Sequence, residues 1–313
     1  MHLLIPFAFC SSEGCRQALP ALMLPVLQKL LRRLSPEAID TGDEASLSPP
    51  HERALARALN LPMADGRIAW AALQAQRAGL KPGPGQAWAF ITPCHWHAGA
   101  KHVAMNVPEL ADFTEQEALT LMTSMQAYFA EDGITLHYDQ PGRWLASSEA
   151  FDGLASASLD RVSGRDVADW LPRSSAAMAL QRLQSEMQML LYQHPVNDAR
   201  AARGVPSVNS FWISGTGALP EVQQAGATAP IVVTDLRAAA LREDWPAWRQ
   251  AWQTLDVSAC TTLLAALDRG ESCQLTLCGE RNAQQWVTRE RSVLTRFIGL
   301  FGTKTSSIML EKL

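Results

Sequence analysis

The chain has 313 residues, 47% of them hydrophobic and 19% charged, with a formal net charge of −4 and a pI near 6.0. That composition marks an ordinary soluble globular protein with enough apolar surface for a packed core. Its basic residues are scattered, so there is no electrostatic footprint for a phosphate backbone and nucleic acid is not an expected partner.

Domains run to about 100–200 residues, so two lobes are expected at this length. The stretch MHLLIPFAFCSSEGC has an apolar run ending at a cysteine, like a lipoprotein signal. It lacks a basic leading region, however, and its apolar part is too short, so it reads as a buried strand from Leu3 to Phe9. No apolar run approaches the roughly 18 residues that span a bilayer. No membrane association and a cytoplasmic location are expected. The six cysteines, Cys10, Cys15, Cys94, Cys260, Cys273 and Cys278, read as reduced thiols. The two C-x4-C pairs are too loosely spaced for a zinc ribbon.

After the first strand, LPALMLPVLQKLLRRLSP carries Leu22, Val26, Leu27, Leu30, Leu31 and Leu34 at helical spacing, with Pro36 at its end. Residues 40–50 form a polar surface loop. Helices are predicted over Pro50–Leu59 and Ala69–Ala78, the second ending in GLKPGPGQ, and WAFITPCHWH reads as a strand. In FTEQEALTLMTSMQAYFAEDG, Thr114 and Glu117 have capping-box spacing and Gly133 is a C-terminal stop. ITLHYDQPGRWLAS reads as a hairpin turning at Gln140-Pro141-Gly142, and a long helix follows from Ser175 to Tyr192.

In the last third, PIVVTDL is apolar without alternation, as expected of a strand covered on both faces. Helical patterns at 243–254 and 258–268 precede the strand CQLTLCG and a closing amphipathic helix around 284–300. Strands alternating with helices at both ends predict an α/β lobe with a mainly parallel sheet, over 1–87 and 208–313. A smaller inserted α+β lobe is expected over 88–207.

Several segments occur in an ordered set: GRIAWAALQAQRAGLKPGPGQAWAF, FTEQEALTLMTSM, YDQPGRWLA, SGRDVADWLP and HPVNDARAARGVPSVNSFWISGTGALP. In order and spacing this set resembles cofactor-independent phosphoglycerate mutases of the archaeal type, and more closely still the RpfE-type regulatory proteins of proteobacteria. The resemblance spans about residues 3–300. It implies an alkaline-phosphatase-like α/β lobe interrupted by a smaller lobe. It also implies phosphoryl transfer through a serine on a two-metal centre, with the metals stabilising the attacking and leaving oxygens.

The chain departs from those enzymes where the metals should bind. The resemblance calls for a metal-binding Asp-Gly-x-x-Asp turn after the first strand, yet no aspartate precedes Asp40. LTLCGERNAQQW offers Glu280 in place of an Asp-x-x-Gly-His motif, and no histidine follows His194. A dinuclear site of carboxylates and imidazoles cannot be assembled from those positions. The expectation is therefore a pseudoenzyme, because function resides in the site and not in the fold.

Two clusters remain as candidates. ITPCHWHAGAKH places Cys94, His95, His97 and His102 close together. Period-two alternation puts His95 and His97 on one strand face, and His102 could fold back past Gly99 to complete a three-imidazole set for zinc, copper or manganese. The plainer reading is that these imidazoles only form local hydrogen bonds.

The second cluster is His194, Asn197, Arg200 and Asn209 near the turn Gly215–Gly217, with Arg67 and Arg143 matching in place arginines of the resembling family. Together they suggest an anion pocket between lobes. The alternative is that they brace a hinge, since buried polar groups must be paired whatever their role. The serines of SSEGC and SVNS lie in no recognisable nucleophile elbow. Trp245, Trp248 and Trp252 form one helical stripe, read as core packing.

The expected function is a non-catalytic regulatory or binding protein, with a phosphorylated small molecule or a protein as partner and no cofactor. The competing expectation is a metal-dependent phosphohydrolase or phosphotransferase with a relocated His-based centre.

Overall fold

The structure is a computed structural model that describes every residue except 84, 100–101, 106–109, 111, 221–228 and 290–308, together with the side chains of 175 and 176. In chain order the first elements are β1 (His2–Ile5), α1 (Glu13–Ala18), α2 (Pro25–Arg33), β2 (Ser35–Pro36), α3 (Pro50–Ala58) and α4 (Trp70–Arg77). Next come β3 (Trp88–Cys94), β4 (Trp96–Ala98), β5 (Val103–Met105), α5 (Glu115–Glu131), β6 (Thr135–Gln140), β7 (Arg143–Ser147) and α6 (Leu159–Val162). Then follow α7 (Ser175–Tyr192), α8 (Pro195–Ala202), β8 (Ser210–Gly217), β9 (Ile231–Val232), α9 (Arg237–Leu241), α10 (Trp245–Leu255), α11 (Thr261–Asp268), β10 (Gln274–Cys278) and β11 (Ala283–Val287). They form two compact units: Met1–Ala45 with Pro49–Leu59 and Gly226–Leu313, and Ser46–Ser48 with Asn60–Ala225.

The first unit is built on a five-stranded sheet in the order β2-β11-β10-β1-β9. β1 runs parallel to both β10 and β9, while the β10–β11 and β11–β2 pairs are antiparallel. The sheet is therefore mixed, which corrects the expectation of a mainly parallel one. Chain length is the cause: only residues 279–282 join β10 to β11, and a parallel crossover needs about a dozen residues or more.

Leu3, Leu4 and Ile5 are fully buried, as the unalternated run HLLI requires of a strand covered on both faces. Leu3, Ile5, Leu275, Leu277 and Trp286 join the core with α2, α10 and α11, and Leu4, Cys278 and Ala283 pack against Ala54 of α3. β1 is shorter than Leu3–Phe9 because Phe7 adopts φ 56° and reverses the backbone. PIVVTDL does not become a covered strand. Ile231 and Val232 form a two-residue strand, 51% and 37% exposed, that among the described residues pairs only with β1. Residues 283–287 form a strand where the sequence suggested a helix, with Trp286 driven into the core opposite Leu275; residues 290–300 of that expected helix lie outside the described residues.

The second unit has a four-stranded antiparallel sheet in the order β6-β7-β3-β8, with α5 and α7 against it. α5 begins with a complete capping box: Thr114 Oγ1 accepts from Glu117 N at 3.2 Å, and Glu117 Oε2 accepts from Thr114 N at 2.9 Å. Gly133 ends it at φ 70°. Phe129, Trp144, Phe151 and Phe211 form the centre of this core. α4 and β8 also belong to this unit; Ala71, Ala72 and Ala75 of α4 pack in one cluster with Trp88 of β3 and Leu145 of β7. Among the described residues no helix is long and apolar enough to cross a membrane.

Candidate functional site

Ligands of open α/β sheets bind beyond the carboxyl ends of the parallel strands. In the first unit that edge is made by residues 6–12 after β1, 233–236 after β9 and 279–282 after β10. The loop after β1 is held from several sides. Ala8 N donates to Cys278 O at 2.8 Å, Trp248 Nε1 donates to Phe7 O at 2.9 Å and Trp252 Nε1 donates to Ala8 O at 3.3 Å. Trp248 and Trp252 are fully buried, so the tryptophan stripe packs the core and also anchors this loop.

At the loop's end, Ser11 N donates to Glu280 Oε2 at 3.0 Å, and the Ser11 hydroxyl donates to the same oxygen. One carboxylate oxygen therefore takes both hydrogens of one serine. Such a link can fix the loop, but it occupies the hydroxyl that would have to attack a substrate. Nearby, the His51 ring packs against Phe7 with centroids 5.2 Å apart, and Asp235 is exposed after β9.

Ser12 caps α1 by accepting from Cys15 N at 3.3 Å. Cys10 N donates to Cys15 Sγ at 3.4 Å. The neighbouring Cys10 thiol holds Cys15 below its ordinary pKa against the effect of burial, and Cys15 in turn pushes Cys10 up, with burial adding to the rise. The other cysteines behave differently. Burial raises Cys94 and Cys278 strongly, lifts Cys260 to about 12 and raises Cys273.

The Ser11–Glu280 pair was not legible in the sequence, because 269 positions separate the partners. The available signal was that both follow predicted apolar strands, which in an α/β lobe can end at one edge.

His95, His97 and His102 do not share one regular strand. β3 ends at Cys94 and β4 starts at Trp96, leaving His95 between them. His95 Nδ1 hydrogen-bonds Ser207 O at 2.8 Å. His97 is exposed on β4 opposite Ala104 of β5, and His102, also exposed, accepts through its carbonyl from Gly99 N at 2.9 Å. Among the described residues no three His, Cys, Asp or Glu side chains are grouped so that they could hold a metal ion.

The residues of the second cluster all lie in the second unit. His194 caps α8, accepting from Val196 N at 3.2 Å, and its Nε2 meets Ser124 Oγ at 2.9 Å; burial lowers its pKa. Asn197 Nδ2 donates to Leu191 O and Val208 O, and its Oδ1 accepts from Val208 N at 2.8 Å. Asn209 bonds both the N–H and the carbonyl of Trp96. Arg200 is fully buried, donating to Pro206 O at 2.8 Å and pairing with Glu117 Oε2 at 3.2 Å.

Arg143 pairs with Asp139 at 2.7 Å and lies over the Phe90 ring. Gly215 backs onto the same ring, and Gly217 lies near the carbonyl of the exposed Arg67. The fold therefore gathers these residues into two groups. One, around α8, is taken up by internal bonds; the other surrounds Phe90 and the start of α4.

Together these features define a mixed α/β protein with a hydroxyl–carboxylate link and a dithiol at the carboxyl edge of its first sheet. No protein-family model matches the chain, and no curated protein matches it. Among solved structures it is similar to a cofactor-independent phosphoglycerate mutase from Thermoplasma acidophilum, at 13% identity and TM-score 0.40, covering 98% of this chain and 94% of that one. It is also similar to the PH0037 protein from Pyrococcus horikoshii, at 13% identity and TM-score 0.43, covering 92% and 87%.

Proposed function

We propose that the chain is a regulatory or binding protein of the RpfE type, without phosphoryl-transfer activity, on a scaffold related to phosphoglycerate mutases. The scaffold half of this reading rests on the ordered sequence segments quoted above. The loss of activity rests on one observation: at the carboxyl edge of β1 and β10, Ser11 is tied by its N–H and its hydroxyl to Glu280. A two-metal phosphoryl transfer needs clustered hard ligands and a serine free to attack; among the described residues no such ligand group is found, and the Ser11 hydroxyl is engaged by Glu280.

The ligand class that fits the scaffold is a phosphorylated small acid. Arg67 is the exposed guanidinium among the residues matched to the family.

The reading is tested with purified protein in phosphatase and mutase assays, with manganese or zinc added. No turnover is expected. Metal-dependent turnover that disappears in Ser11→Ala would overturn it. Phosphorylated three-carbon acids are expected to raise the melting temperature, because a ligand of the native state stabilises it. The rise should shrink in Arg67→Ala, and its absence with every phosphate ester would remove the ligand.

A further inference from the structure

The two C-x4-C pairs have different fates. Cys273 and Cys278 bracket β10, and an odd spacing along a strand sends them to opposite faces of the sheet, one into the main core and the other against α3. Cys10 and Cys15 instead lie across a loop and the first turn of α1, where the chain curls back on itself. Cys10 N–H points at Cys15 Sγ at 3.4 Å, which brings the two cysteines side by side. As whole residues, Cys15 is fully buried and Cys10 is partly exposed. The segment between them carries Ser11, which is bonded to Glu280.

We propose that Cys10 and Cys15 form a peroxide-responsive dithiol that closes to an intramolecular disulfide beside the Ser11–Glu280 link. The thiol pair first loses one proton, leaving a thiolate on Cys15 that accepts from the Cys10 thiol. Cys10 sulfur then attacks one peroxide oxygen as its proton passes to Cys15. An S–O bond forms, the O–O bond breaks and hydroxide leaves, taking up the proton released at the start. Cys15 sulfur next attacks the Cys10 sulfenic acid, forming the S–S bond and expelling water. The sum is two thiols and one hydrogen peroxide giving one disulfide and two waters. A thiol or thioredoxin-class reductant reverses it by exchange.

The test uses the intact reduced protein. It is titrated with hydrogen peroxide, its free thiols are alkylated under denaturing conditions, and it is digested with trypsin. Arg16 is the first lysine or arginine, so residues 1–16 form one peptide holding Cys10 and Cys15 and no other cysteine. The expected result is that this peptide loses two hydrogens and escapes alkylation before Cys94, Cys260, Cys273 or Cys278 reacts. A reductant should restore both thiols. Cys10→Ser should abolish the loss, and because Cys10 is partly exposed this variant tests the idea even where Cys15→Ser does not fold. The proposal is overturned if both sulfurs remain alkylatable while other cysteines oxidise. It also fails if Cys10 accumulates as sulfinic acid beside an intact Cys15 thiol, or if the disulfide joins two chains.

Discussion

Asp256 caps a helix to which it does not belong: its Oδ1 accepts from Leu27 N at 2.7 Å, across 229 positions of sequence. Its Oδ2 accepts from Val26 N at 3.1 Å. α2 opens with Leu24 at the N-cap and Pro25 after it, so no local side chain serves its first N–H groups. A buried carboxylate supplies both acceptors and the negative charge that a helix N-terminus favours. Asp256→Ala is expected to cost about 2 kcal/mol and Asp256→Asn about half as much, as for strong N-caps. Urea unfolding reads this as a lower midpoint at unchanged slope. An alanine variant within about 0.5 kcal/mol of wild type would mean that α2 does not depend on this cap.

Elements with local signals were legible in the sequence. The Thr114–Glu117 box, the stop at Gly133 and the hairpin at Gln140-Pro141-Gly142 all encode their geometry within a few residues. The failures came where tertiary pairing decided. AQQWV becomes a strand because Trp286 pairs with Leu275 in the core, and a short apolar run cannot by itself be told from a helix. The turn residues Gly279 to Asn282 did announce a hairpin, and reading them would have corrected the sheet's direction. PIVVTDL has the composition of a covered strand, yet nothing in its residues says that it pairs on one side only.

Arg200 and Glu117 form the most buried ion pair of the second unit's candidate cluster. Arg200 is fully buried, and the Glu117 side chain is 14% exposed. Removing the guanidinium would leave Glu117 short of a partner and Pro206 O without its donor, so Arg200→Ala should cost about 3 kcal/mol. Arg67→Ala, on the surface, should stay within about 0.5 kcal/mol. Burial pushes the Glu117 carboxyl up, but Thr114 N–H, Arg200 and Arg203 outweigh it and hold its pKa below the ordinary value. The unfolded chain therefore binds this proton first on acidification, and stability is lost as pH falls from the ordinary glutamate range through the lower folded value. Glu117→Gln should flatten that acid limb in a series of urea midpoints against pH. An unchanged acid limb would show that Glu117 does not carry it.

The candidate cluster was legible as residue types and not as roles. His194, Asn197, Arg200 and Asn209 have the groups that hold an anion, and those groups equally serve to brace a backbone. What separates the two is where the partners sit: Glu117 lies 83 positions from Arg200 and Trp96 lies 113 from Asn209, so no local pattern records either bond. The C-x4-C spacing was likewise visible, but whether two thiols meet depends on whether a loop or a strand carries them.

Gly215 separates packing from anion binding in the remaining group. It adopts φ 62°, and a Cβ there would fall 2.8 Å from Phe90 Cδ2 and 3.1 Å from Trp70 Cβ. Phe90 is held by the Arg143 guanidinium 5.1 Å from its centroid, so the ring has little room to yield. Gly215→Ala should therefore cost about 2 kcal/mol from left-handed strain and overpacking together. Its melting temperature without ligand is the first measurement, and the shift with a phosphorylated three-carbon acid is the second. A folded variant with lower stability and a wild-type ligand shift would make Gly215 a packing residue. Wild-type stability with the ligand shift abolished would instead require its backbone N–H to face the anion, and the packing account would fall.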